Sequence, residues 1–133
     1  MITRELAVEL ARRGLPWRPA SGDRFHVPDR DLDDEVFVVS GMSVEVSELP
    51  FGSEVRFNGT VEWALDSVTV EQALWLPHEH QLRAALGSAF RRLELVPPDR
   101  ARVTVEIDDA ALDFEDDEAS AAYGRALLHV LTR

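Results

Sequence analysis

A chain of 133 residues suits one domain with one hydrophobic core, and 45% hydrophobic with 29% charged residues is globular composition. Twenty-five acids against fourteen bases leave a formal charge of −11, a field that repels nucleic acid and anionic lipid and suits a soluble chain or a basic protein partner. Cysteine and lysine are absent, every basic residue being arginine, which excludes disulfides, thiolate chemistry, Schiff bases and a Walker lysine.

In chain order, "TRELAVELARRG" reads as a helix. Thr3 caps it, Leu6, Ala7, Leu10 and Ala11 form one apolar stripe, and Gly14 stops it. This charged opening has no apolar signal region, so a cytoplasmic location is expected. The loop "LPWRPASGD" leads to four extended runs, "RFHV", "EVFVVS", "SVEVSEL" and "EVRF", which predict an antiparallel meander with its clearest hairpin at "SGMS". "VFVV" is among the longest purely aliphatic or aromatic runs, far below the roughly 20 residues of a membrane span.

"FNGTVEWALDS" turns at Asn58-Gly59 and predicts a short helix carrying Val61, Ala64 and Leu65. Thr69 followed by Gln72 matches a capping box, so "VEQALW" predicts another helical turn. From Pro77 the apolar positions Leu82, Ala85, Leu86, Ala89 and Phe90 follow helical spacing. "RRLELV" and "RVTVEI" predict a hairpin about "PPDRA". Ala119, Ala122, Tyr123, Ala126, Leu127, Val130 and Leu131 make the last helix, with Asp116, Asp117 and Glu118 charging its start. The expected fold is α+β, a single domain over residues 1–133. It has two layers, an antiparallel sheet of about five or six strands against an N-terminal, a central and a C-terminal helix.

The reactive-looking stretches each fail a geometric test. Pro77 as the first helical residue places His78, Glu79 and His80 in the opening turn, where residues two apart project about 200° apart and cannot share an ion. The metal-binding spacing i, i+4 is missing. "DRDLDDE" and "DFEDDE" begin like calcium loops, but their sixth and twelfth positions are Asp34 and Ser40, and Glu118 and Gly124, where glycine and a bidentate acid are needed. Both clusters are expected in solvated loops. Glycine-rich phosphate loops and the G-x-S-x-G elbow are absent. No catalytic residue, metal or cofactor is assigned.

Tryptophans mark apolar-to-polar boundaries, because the indole N–H asks for a partner. Trp17 lies in the first loop, whereas Trp63 and Trp75 lie within the candidate binding region from Asn58 to His80. That region comprises Asn58, Trp63, Asp66, Trp75, His78 and His80. Three function classes follow. The leading one is a non-enzymatic acidic binding or adaptor domain for a basic protein partner, including one that neutralises a toxin, acting as a monomer or homodimer. The others are a small-molecule sensor with a pocket near Trp63 and Trp75, and a hydrolase using carboxylates or a divalent ion.

Together "ITRELAVELARRGL", "GDRF", "FNGTVEWALDS", "ALWLPHEHQLRAAL" and "AYGRALLHVL" give a resemblance across most of the chain. They resemble small acidic proteins of unassigned activity from high-GC Gram-positive bacteria, some labelled as pilus-assembly proteins of the CpaE type. Proteins properly so named are similar to P-loop ATPases, and a chain without lysine has no Walker motif to match them. The resemblance therefore implies no functional residue.

Overall fold

The computed structural model describes residues 1–28, 36–39, 44–49, 52–57, 68–69 and 72–133, with 44–49, 52–57 and 68–69 described by their backbone. Its elements begin with α1 (Arg4–Arg12), β1 (Arg24–His26), β2 (Phe37–Val38), β3 (Val44–Leu49), β4 (Gly52–Phe57) and β5 (Val68–Thr69). They continue with β6 (Leu74–Leu76), α2 (Glu79–Leu86), β7 (Phe90–Val96), β8 (Arg100–Ile107), β9 (Ala110–Asp116) and α3 (Ala119–Thr132). The chain is α+β and its described strands are all antiparallel, in three sheets of order β2-β1-β6, β3-β4-β5 and β7-β8-β9. A single sheet of five or six strands is not what they form.

Two compact units emerge, one built from Met1–Leu15 with Pro77–Arg133 and the other from Pro16–Leu76. The first gathers the three α-helices found among the described residues. Thr3 accepts the Leu6 N–H at 3.2 Å and so caps α1, whose Ala7 and Leu10 are buried. Helix α3 packs on β8 and β9, with α1 and α2 against α3. Strand β8 alternates sharply: Ala101, Val103 and Val105 are buried towards the helices, while Arg100, Arg102 and Glu106 carry the opposite face. Each fully buried leucine of this core (Leu10, Leu82, Leu127) contributes about 1.5–3 kcal/mol by leaving water.

Several expectations change in this unit. Helix α2 ends at Leu86 because Gly87 takes φ +57°, a left-handed conformation glycine adopts freely. Phe90, expected on the helical stripe, instead opens β7 and meets Tyr123 with ring centroids 5.8 Å apart. The β7–β8 hairpin forms as expected, with Val96 opposite Arg100. A further strand, β9, follows a two-residue turn in which Asp108 and Asp109 have φ 52° and 65°. Positive φ at both central residues matches the right-handed twist of the flanking strands. "DFED", expected in a solvated loop, is thus sheet.

In the second unit "VEQALW" is only partly strand: Val70 and Glu71 lie outside the described residues, Gln72 has 3-10 form, and β6 begins at Leu74. Leu74 and Leu76 are buried, Trp75 alternates with them, and the three residues pair with His26, Phe25 and Arg24. Thr69, expected as a cap, lies in β5. Strand β3 pairs with β4, through Leu49 opposite Gly52, and β2 pairs with β1, so the strands on either side of "SGMS" do not pair with each other. Residues 40–43 and the short helix expected at 61–65 lie outside the described residues.

Two measurements check this packing. A Cβ on Gly124 would stand 2.5 Å from Leu6 Cδ2 and 3.1 Å from its Cγ, so α1 approaches α3 closely because residue 124 has no side chain. Gly124→Val should lower unfolding stability by about 1–3 kcal/mol in urea titration, overpacking outweighing the better helix propensity. Burial pushes the Tyr123 phenol above its ordinary value, with Arg83 beside it offsetting part of that. The folded state then holds this proton longer than the unfolded chain. The phenol's contribution to stability is whole below about pH 10 and is lost as pH rises through the folded value. With one tyrosine and neither lysine nor cysteine, no other side chain ordinarily titrates there. The urea midpoint should decline in that window, and Tyr123→Phe should flatten the decline.

Candidate functional site

Sheet pairing builds an aromatic row in the Pro16–Leu76 unit. Phe25 on β1 lies opposite Phe37 on one side and Trp75 on the other, which puts the three rings on one face. Phe25 and Phe37 stack at 5.6 Å. Trp17, from the loop before β1, stacks on Trp75 at 6.2 Å with 9° between planes, and tilts against Phe25 at 5.9 Å. Buried Val27 and Val39 complete the apolar floor.

The buried Asp23 carboxylate fixes the outer tryptophan. Its Oδ2 accepts the Trp17 indole N–H at 2.9 Å and the Ala20 backbone N–H at 3.0 Å. The Asp23 backbone joins the same knot, its carbonyl accepting the Val39 N–H at 2.8 Å. Trp75 differs: its Nε1 is buried and, among the described residues, has no hydrogen-bond partner, which costs about 1–3 kcal/mol.

The two clustered histidines stand otherwise than expected. His78 is the extended residue before α2 (φ −73°, ψ 161°) and only Glu79 and His80 are helical. The projection rule for residues two apart on a helix therefore does not apply, and the rings stack with centroids 5.4 Å apart. Gln81 Oε1 accepts the His78 backbone N–H at 2.8 Å, so a glutamine three residues on caps the helix start. Among the described residues no group of three or more His, Cys, Asp or Glu is placed to hold a metal ion.

The open face of the β7-β8-β9 sheet carries a charge ladder. Arg102 Nε reaches Glu115 at 3.1 Å and its guanidinium lies 3.8 Å from Glu94. Arg100 contacts Glu115 and Asp117, Arg92 contacts Glu94, and Arg91 contacts Glu106. Thr104, buried amid these charges, donates to Asp113 at 2.6 Å. The Glu115 hydrogen bond, then its charge, holds the Arg102 guanidinium above its ordinary value. Far from converging on an ion, the acids of "DFEDDE" are each tied elsewhere: Asp113 to Thr104, Glu115 to Arg102, Asp116 to Arg125 and Glu118 to the N-terminal ammonium.

Of the six candidate residues, Asn58, Trp63 and Asp66 lie outside the described residues. The structure brings His78 to His80, and brings Trp75 to Trp17 and Phe25. Trp75 belongs to the Pro16–Leu76 unit and the histidines to the other. Sequence reasoning had marked Trp17 only as a loop residue and had missed Asp23; the one available signal was the apolar alternation of "RFHV". No protein-family model, curated protein or solved structure matches this chain. Among the described residues no helix is long and apolar enough to cross a membrane.

Asp23→Ala should strip two donors of their acceptor and lower stability by about 1–3 kcal/mol. The loss is read as a shifted urea midpoint, with tryptophan fluorescence moving to longer wavelength before the main transition as Trp17 is released.

Proposed function

We propose that this chain is a non-enzymatic recognition module whose Pro16–Leu76 unit meets a basic protein surface. The distribution of charge carries the reading. That unit holds twelve acids and four arginines, a net −8, whereas the other holds thirteen and ten, a net −3. In the helical unit the arginines are largely engaged by nearby carboxylates, so its charges cancel locally. The surplus is left on one unit, where it speeds encounter with a cationic partner and disfavours anionic ones.

Partner capture from native lysate should be strong at low salt and lost at about 0.5 M, where the screening length falls to about 4 Å. Amide replacement of Asp29, Asp31, Asp33, Asp34 and Glu35 should weaken capture of the same protein. The same replacement of Asp113, Asp116 and Asp117 should not. Salt-independent capture, or equal loss from both variants, would defeat the proposal.

One observation favours a second reading, a small-molecule sensor at the aromatic row: the buried Trp75 Nε1, without a partner among the described residues, beside a stacked indole. A compound bearing a hydrogen-bond acceptor and a planar ring would satisfy both. A compound screen should then yield a hit that quenches tryptophan fluorescence and raises the melting temperature, with Trp75→Phe losing the response. No hit from a diverse set counts against it.

A further inference from the structure

We propose that β7 is a self-association edge, pairing antiparallel with β7 of a second copy of this chain about a twofold axis at Leu93. Among the described residues β7 is an edge strand, with β8 on its inner side and no strand on its outer side. Two of its apolar side chains, Leu93 and Leu95, are left uncovered. Leu93 stands opposite fully buried Val103 and so points to the helix side, yet it is 40% exposed; Leu95 beyond it is 87% exposed. Helix α3 covers β8 and β9 and leaves this end of β7 open. An unpaired strand edge beside exposed leucines is a template for another strand.

The sequence of β7 selects the occupant. In an antiparallel pair, directly opposite residues point to the same face, so a twofold axis normal to the sheet passes through a residue rather than between two. Centred on Arg92 it opposes two arginines, and centred on Glu94 two glutamates. Centred on Leu93 it sets leucine against leucine on the helix side and, on the open face, each Arg92 against the other copy's Glu94. Opposite charges facing across strands stabilise pairing and like charges oppose it. This register alone, of the three about the strand's middle, brings no like charges together. The other edge is unsuited: β9 carries Asp113, Glu115 and Asp116 with no base to answer them in a second copy.

The product is a continuous six-stranded antiparallel sheet, β9-β8-β7 followed by β7-β8-β9 of the second copy. A seven-residue edge buries less than a standard interface, so the dimer is reversible and weak. The inference is independent of the acidic-module reading, because none of its residues lies in Pro16–Leu76.

Sedimentation velocity of the full chain at about 0.15 M salt, which screens the repulsion of two −11 chains, tests it over a concentration series reaching hundreds of micromolar. The mass should rise from 14.9 kDa towards twice that value. Leu95→Lys, at a site nearly free of contacts within one copy, should weaken association at least tenfold while leaving the thermal melt unchanged. R92E and E94R should each remain monomeric, and an equimolar mixture of the two should dimerise, because the mixed seam again opposes unlike charges. A wild-type chain at monomer mass throughout would overturn the proposal. So would a dimer indifferent to L95K and to both reversals, or a mixture that stays monomeric.

Discussion

The alternation along β8 is the constraint on which the helical unit depends. Val103 and Val105 have no exposed surface and face α3, while Arg102 and Thr104 between and beside them face the other way. A slip of one residue would exchange the two sets, burying a guanidinium under α3 and exposing both valines. Register is therefore held from both faces at once, apolar packing on one and matched charges on the other. Pairing of Arg102 with Glu115 and of Thr104 with Asp113 is the polar half of the same specification.

That polar half explains why a chain without lysine builds such a ladder. A guanidinium is a planar fork with several donors, so one arginine can bridge two carboxylates on neighbouring strands. Arg102 lies between Glu94 and Glu115, and Arg100 between Glu115 and Asp117. Each pair is at least partly open to solvent and by itself worth little, about 0–1 kcal/mol. Their combined effect falls on register more than on stability, since a shifted strand would set like charges opposite one another.

What the sequence made legible follows the length scale of each signal. The first and last helices were readable because cap, stripe and stop all agree within one segment, as with Thr3, Leu10 and Gly14. The β7–β8 hairpin was readable for the same reason. Strand β9 was missed because its turn is Asp108-Asp109, without the glycine or asparagine that usually announces positive φ. At β6 the strand Leu74–Leu76 was missed because it pairs with β1, a partner about fifty residues away that no local pattern reveals. The site was legible to the same degree. Trp75, His78 and His80 were singled out by residue type, but the stacking of Trp17 on Trp75 depends on a long-range strand pair and on the Asp23 knot. Treating His78 as helical also gave the wrong mutual orientation of the two rings, because one residue's shift of the helix start replaces a helical step with an extended one.

Charge distribution matters more to recognition than the total of −11. At physiological ionic strength the screening length is about 8 Å, so an approaching partner senses only charges near its own path. Carboxylate–guanidinium pairs held at 2.9–3.8 Å act beyond that distance as small dipoles, and the ladder face is nearly silent to a distant cation. A surplus of eight negative charges over Pro16–Leu76 has no such internal cancellation available, with only four arginines in the segment. Four of the fourteen arginines, Arg91, Arg92, Arg100 and Arg102, brace the β7-β8-β9 sheet, while the Pro16–Leu76 segment has four arginines in all against twelve acids.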